Sequence, residues 1–325
     1  GALGAEGSLL EECVVYGSIL AFSLPFFMLQ ETFQSLLTAA GKPKVGLCVM
    51  VVAGVANIAL DALFIIVFQW GLAGAALATA ISEVLGGAIP FLYFARPNSS
   101  TLRLGRPLID VRALGRVCVN GSSELVSNLS MSLVSMVYNF QLMAYIGPDG
   151  VAIYGVIQYV AWIAVSLLMG FTVGSSPIIS YHYGAKNSAE LKNLFRTCLG
   201  VMVAGGVLIT VLTHLFAHPL AAVFVGYDPA LCEMTVAALG EYSLAFIFVG
   251  VSIFGSAFFT ALNNGLVSAL ISFLRTLVFE CAAVMFLPAI IGVDGIWLSI
   301  VVAEIASMFL TGGFLVGLRK HYDYA

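Results

Sequence analysis

Five polar residues between positions 124 and 139 give the first hint of chemistry. Glu124, Asn128, Ser132, Ser135 and Asn139 step by four, four, three and four, the spacing that places side chains on one face of a helix. Most residues between them are apolar, so the stripe belongs to a segment suited to lipid, where it must face protein or water. Asn57 and Asp61, four apart in another oily run, share a face in the same way. A carboxyl group taken out of water accepts a proton more readily and gives it up when wetted again. Ion-coupled exchange across a membrane needs such a group, reachable from the two sides in turn. Each acid also has a plainer explanation. Asn120-Gly121-Ser122-Ser123 could cap a helix whose first turn favours Glu124, although Asp110 is the better cap and would leave Glu124 several turns in. Asp61 is about two turns from the end of its run and could sit at the outer interface.

Other polar groups fall inside apolar runs. Glu83 and Glu304 stand at matching places in two similar segments, which suggests structural pairing rather than a single asymmetric ion site. Arg275 is the one base inside an apolar run and needs an acid, either Glu280, five residues on, or one from a neighbouring helix. Gln30, Gln34 and Thr38 form another ladder, as do Tyr154, Gln158 and Trp162. Aromatic and methionine side chains (Tyr138, Tyr154, Tyr159, Trp162, Met169 and Phe171) could hold flat cations through ring faces, or simply pack.

These groups need elements to position them, and composition says which kind. Hydrophobic residues make up 61% of the 325 residues and charged residues 9%, with mean hydropathy +1.04. A soluble domain carries about a quarter charged residues, so the chain reads as a polytopic membrane protein. The net charge of −4 includes no basic cluster suited to nucleic acid. Six cysteines lie far apart without metal or redox spacing. There is no G-x-x-x-x-G-K-[ST] loop to bind a nucleotide and no H-E-x-x-H or G-x-S-x-G protease motif, so an enzyme is not expected.

Apolar runs of about 20 residues predict nine helical spans, at 13–40, 44–68, 72–95, 112–146, 151–179, 194–217, 231–262, 265–288 and 293–317. All are expected to be helices, because an open sheet leaves backbone groups unpaired in lipid. Twelve of the thirteen Lys and Arg residues flank alternate spans, which puts those loops and the C-terminus in the cytoplasm. Nine spans would then place Gly1 outside, which suggests that an odd number of helices precedes it.

A repeat supports that count. Gly71, Gly74 and Glu83 in the third span match Gly292, Gly295 and Glu304 in the ninth, and "LLTAAG" before the second resembles "FFTALN" before the eighth. The repeat is parallel, a duplication that places a cavity between halves. The expected fold is all-α, a polytopic membrane helical bundle of two pseudo-symmetric lobes related by an axis along the membrane normal. A partial N-lobe (1–96), a cytoplasmic linker (97–111), a C-lobe (112–318) and a cytoplasmic tail (319–325) make up the expected layout.

Four stretches, "LLTAAGKPKVG", "NIALDALFIIVFQWGLAGAALATAISE", "NGSSELVSNLSMSLVSMVYNFQLMAYIG" and "GSSPIISYHYGAKN", together resemble the MATE (multidrug and toxic compound extrusion) transporters, nearest the MepA-like bacterial branch. The resemblance covers essentially the whole chain and corresponds to the family's fourth through twelfth helices. It implies export of cationic or amphipathic compounds in exchange for H+ or Na+, with no other cofactor. It also implies that Glu124 matches the family's intramembrane glutamate of the seventh helix, and that the first helix, which often carries a coupling aspartate, is absent. On this reading Glu124 and Asp61 couple ions, and Asn128, Ser135, Asn139, Tyr154, Gln158, Trp162 and Gln34 line the substrate path. Asn57, Glu83, Glu304, Arg275 and Glu280 are structural polar groups. The expected partners are small organic cations and the bilayer of the cell membrane, with the protein a monomer. A lipid-linked oligosaccharide flippase would need more cavity bases than Arg275 alone; a truncated chain that inserts without transporting is the other alternative.

Overall fold

A computed structural model describes residues 8–98, 100, 102–105 and 110–324, with the side chains of 8–13, 113, 116, 119–124, 126 and 127 excepted. Every regular element among the described residues is a helix. The chain divides into two compact units, Gly1–Leu108 and Ile109–Ala325.

Unit 1 contains α1 (Ser8–Ala39), α2 (Pro43–Asp61) and α3 (Gly71–Ala95). Small residues set its packing. A side chain at Gly87 of α3 would come within 2.7 Å of the Phe26 carbonyl oxygen of α1, so the glycine permits close approach of the two backbones. Phe33 stacks on Phe94 at 5.6 Å beside the buried Leu37. Directly after Asp61 the second helix widens into a π-helical stretch, Ala62–Val67. Gln69 and Gly71, both at positive φ (57° and 55°), then turn the chain into α3.

Unit 2 contains α4 (Val111–Tyr145), α5 (Pro148–Gly184), α6 (Ser188–Leu215), the short α7 (Ala217–Val225), α8 (Pro229–Ser243), α9 (Phe246–Ala261), α10 (Gly265–Phe273), α11 (Cys281–Ile291) and α12 (Asp294–Tyr322). A π-helical stretch, Leu274–Glu280, joins α10 to α11. The core runs through Tyr138, Ile157, Met202, Phe254, Phe258 and Phe259, all buried. The expected span 231–262 is bent by 44° between α8 and α9. At the break the Ser243 carbonyl accepts a hydrogen bond from Thr210 Oγ1 at 3.0 Å, as a freed helix carbonyl requires.

Seven described helices are long and apolar enough to cross a membrane, or eight with the bent α8–α9 pair taken as one span. The one expected span outside this set, 112–146, coincides with α4, which has 35 residues but carries the polar stripe along its length. The outer surface inverts the soluble pattern: Phe22, Ile58, Trp162 and Phe309 are each more than 70% exposed, an apolar face that fits lipid. The sequence repeat is also a repeat of geometry. Gly71 and Gly292 both have positive φ, 55° and 73°, while Gly74 and Gly295 are both buried against the preceding segment.

Candidate functional site

Most of the described polar side chains of interest converge inside unit 2. Arg275 lies in the π-helical stretch, and its Nε donates to Glu304 Oε1 of α12 at 2.7 Å. The Glu304 side chain is 1% exposed and that of Arg275 22% exposed. The partner of the intramembrane base is therefore the acid of a neighbouring helix; Glu280, on its own stretch, is not its hydrogen-bonded partner. Glu304 Oε2 is buried with no hydrogen-bond partner among the described residues.

Glu280 ends the same π-helical stretch and interacts electrostatically with both Glu304 and Arg275. With all three ionised, two carboxylates face one guanidinium, and the cluster holds one net negative charge. Around it stand aromatic hydroxyls. Tyr138 of α4 and Tyr154 of α5 stack with centroids 4.9 Å apart and planes 14° from parallel, and both feel Glu280. Gln158 Nε2 donates to the Tyr154 hydroxyl at 2.6 Å, and Ser135 lies beside that hydroxyl. Tyr242 of α8 completes the group, close enough to feel Glu280, Glu304 and Arg275. Two carboxyl groups and one guanidinium with ring faces beside them can take up one positive charge whenever both acids are ionised, whether a proton, a metal cation or an organic cation.

The helix geometry explains the convergence. A π-helical stretch inserts extra residues per turn, so it turns side chains that an unbroken α-helix would aim elsewhere. The stacked tyrosines fix α4 against α5 at the same level, and Gln141 Nε2 ties α4 to the Val284 carbonyl of α11 at 3.2 Å.

Other predicted positions are placed differently. Glu124 falls in α4 but its side chain lies outside those described. Asn139 Nδ2 donates to the Ser135 carbonyl at 2.9 Å, and Asn128 is on the exposed side of α4. Trp162 is 71% exposed, on the same side as Tyr159 and Ile163, away from the buried Tyr154 cluster. In unit 1, Gln34 packs against Gly46 of α2 and Gln30 against Gly86 of α3, so this ladder joins helices to one another. Asn57 and Asp61 are half-buried on one face of α2, Asp61 immediately before the π-helical stretch. Glu83 Oε2 is buried without a hydrogen-bond partner among the described residues, and none of them pairs a base with it as Arg275 pairs with Glu304.

Sequence reasoning missed Tyr242 and Glu241 of α8, and the buried hydroxyls Ser252, Ser307 and Thr311. Glu304, Ser307 and Thr311 do show helical spacing, but isolated hydroxyls in apolar helices ordinarily bond their own backbone and gave no separate signal.

The MatE family model matches residues 1–63 and 125–283. The chain is 25% identical over 311 residues to the multidrug export protein MepA of Staphylococcus saprophyticus, covering 93% of this chain and 66% of that protein. It is 24% identical over 307 residues to MepA of Staphylococcus aureus, with the same coverages. It thus spans 66% of the length of these relatives. Among solved structures it resembles a MOP superfamily transporter from Pyrococcus furiosus with TM-score 0.91, at 20% identity over 99% of this chain and 72% of that one. A MATE transporter of Vibrio cholerae matches with TM-score 0.87, at 23% identity over 100% of this chain and 74% of that one. Identities this low establish a shared fold, and the family match adds descent: the chain belongs to the MatE family of multi-pass membrane transporters.

Proposed function

We propose that the chain works in a secondary antiporter that exports amphipathic or cationic small molecules in exchange for H+ or Na+. The Glu280–Arg275–Glu304 cluster, two acids around one base beside stacked tyrosines, carries this reading. With both acids ionised such a site can hold the exported cation or the entering ion, but holding both would leave excess positive charge out of water. Competition for one charge is the minimum machinery of antiport, and alternating access supplies the rest. The names of the MepA relatives support drug export as the direction and class of cargo.

Glu124 and Asp61 serve as further coupling carboxylates on this reading, with Asn128, Ser135, Asn139, Tyr154 and Gln158 along the substrate path. The protein acts as a monomer in the cell membrane, with its C-terminus on the cytoplasmic side, as the one-sided placement of Lys and Arg suggests. Purified protein in liposomes, loaded with ethidium and subjected to a pH or Na+ jump, tests this directly. One gradient should drive ethidium movement in the parent chain, and Glu124→Gln and Glu280→Gln should each remove the driven component while both variants remain folded. Parent liposomes that respond to neither gradient would sink the antiport reading. Full driven transport by both variants would remove those acids from it.

A further inference from the structure

Antiport by the acidic cluster leaves four buried polar groups of unit 2 unused. Glu304 Oε2 and the hydroxyls of Ser252, Ser307 and Thr311 all lack a hydrogen-bond partner among the described residues. These hydroxyls break a habit of the molecule. Thr172, Thr235 and Ser299 each donate to the carbonyl one turn back, the usual outlet for a hydroxyl in an apolar helix. Ser307 and Thr311 do not, although each residue is 0% exposed, as is Ser252.

The orphans gather on one seam. Glu304, Ser307 and Thr311 are spaced by three and four along α12 and share its face. Helices α9 and α12 run side by side in the same direction. The Thr311 methyl packs at Gly255, and Asn264, just past α9, donates to the Tyr322 hydroxyl at 2.9 Å. That register brings Ser252, about one turn before Gly255, level with Ser307. A second hydroxyl run continues beside it. Ser256 of α9 bonds Ser268 at 2.9 Å and Ser272 at 3.0 Å of α10, and Thr260 donates to Ser268 at 2.7 Å. Ser268, Ser272 and Arg275 are spaced by four and three, so this run leads from the Asn264 end up to the cluster.

Buried polar atoms without protein partners are where ordered water belongs, provided each molecule finds two to four of them. We propose that the seam between α9, α10 and α12 holds a short file of water that relays protons between the Glu280–Arg275–Glu304 cluster and the end of unit 2 that carries Asn264 and Tyr322. This rests on the antiport reading. Among the described residues Arg275 and Glu280 of the π-helical stretch, Cys281 of α11, Tyr242 of α8, Tyr138 of α4 and Tyr154 of α5 are the ionisable groups clustered with Glu304; α9 and α10 contribute none. In the relay, a proton held by the two carboxyls passes to the first water, each water hands one on, and the last is released at the far end. The carboxyls return to their ionised state and Arg275 keeps its proton throughout.

Two measurements decide it. In proteoliposomes under an imposed pH gradient, the double variant Ser307→Ala/Thr311→Val should drive ethidium transport at least about tenfold more slowly, with ethidium affinity and thermal stability as in the parent. Ser307→Thr and Thr311→Ser, which keep the hydroxyls, should hold the parent rate. Independently of transport, the thiol introduced by Ser307→Cys should be captured by micromolar Ag+, a probe of about the size of water, and so escape later alkylation on unfolding. The native buried thiols Cys198 and Cys232, read by peptide mass in the same sample, give the dry reference. A thiol at 307 captured no faster than these, or a double variant that transports at the parent rate, overturns the water file. If the parent chain is driven by Na+ and not by protons, the proton relay is overturned while antiport stands; if it responds to neither gradient, the antiport reading fails, and silver access at 307 still decides whether the seam is wet.

Discussion

Glu83 of α3 and Glu304 of α12 occupy the same place in two copies of one motif, each nine residues after a buried glycine and twelve after a glycine at positive φ. Their surroundings differ. Glu304 receives the Arg275 guanidinium at 2.7 Å, whereas 29 residues before Glu83, at the position that matches Arg275, stands Gly54. Among the described residues both acids have one buried oxygen without a hydrogen-bond partner, yet a counter-charge is seen in unit 2 and not in unit 1. The duplicated glycines keep the backbone frame, and the charge chemistry has diverged on it. Frame and charge chemistry are therefore separable within this molecule, and among the described residues it is unit 2 that joins two acids to a base.

The sharpest way to break the comparison is to remove its one distinguishing residue. Arg275→Ala leaves Glu304 ionised and unpaired at depth, a loss of about 3–5 kcal/mol when one partner of a buried pair is deleted. The measurement is chemical or thermal unfolding of unit 2 in detergent. Arg275→Ala combined with Glu304→Ala should recover part of that loss, because the stranded Glu304 carboxylate goes with its partner and Glu280 is the one acid left. A double variant as unstable as the single one would show that Arg275 supports the fold by packing rather than by pairing.

Neutralising the two acids separately should give different results. Glu304→Gln strands Arg275 and removes a charged hydrogen bond, for a loss of about 1.5–3 kcal/mol. Glu83→Gln removes a carboxylate with no base beside it, and unfolding should stay within about 1 kcal/mol of the parent. Equal losses at both sites, in paired melting curves, would mean that Glu83 has a counter-charge of equal strength and that the asymmetry is not real.

The frame itself can be probed at the matched glycines. A methyl at Gly295 would come within 2.6 Å of the Leu287 carbonyl oxygen and 2.8 Å of Pro288 N, both backbone atoms. At Gly74 the nearest atoms are the Cβ atoms of Phe64 at 3.0 Å and Trp70 at 3.1 Å and the Phe64 carbonyl carbon at 3.3 Å, each a few tenths of an ångström farther off than the contacts at Gly295. Gly295→Ala should thus lower stability by about 1–3 kcal/mol, the usual range for overpacking, and Gly74→Ala by less. Melting curves of the two variants that lie in the reverse order would place the tighter frame in unit 1.

How far the amino-acid order revealed these features depended on whether the cause was local. Helical spans were legible because lipid selects long apolar runs, and the glycine motif because positive φ and close approach favour a residue without a side chain. The 44° break between α8 and α9 was hidden, since residues 243–246 include neither proline nor glycine; Thr210, 33 residues away, supplies the compensating hydrogen bond. The Arg275–Glu304 pair was half legible: an intramembrane base demands an acid, but choosing Glu304 over Glu280 needed the turn of a π-helical stretch that carries no residue signature. The orphan hydroxyls were not legible at all, because what marks them is the lack of the ordinary backbone bond.

The end of α12 offers the mildest test, on a feature of unit 2 with no matching element in unit 1. Asp323 adopts a left-handed conformation, φ 54°, which ends the helix and folds Tyr324 back. Its ring is fully buried among Phe195, Phe258 and Tyr322, and its hydroxyl donates to the Leu315 carbonyl at 2.7 Å. Burial first, and Tyr322 second, push this hydroxyl up to about 12. A group whose ionisation is harder in the folded state contributes stability that is fully present below its unfolded value near 10 and is lost as pH rises from there through about 12. Tyr324→Phe should lower stability at neutral pH by about 1 kcal/mol, one neutral hydrogen bond. It should also flatten the decline between pH 9.5 and 11 relative to the parent. A variant that keeps the full alkaline decline would assign that decline to other buried tyrosines of unit 2 and leave the chain end as a packing seal alone.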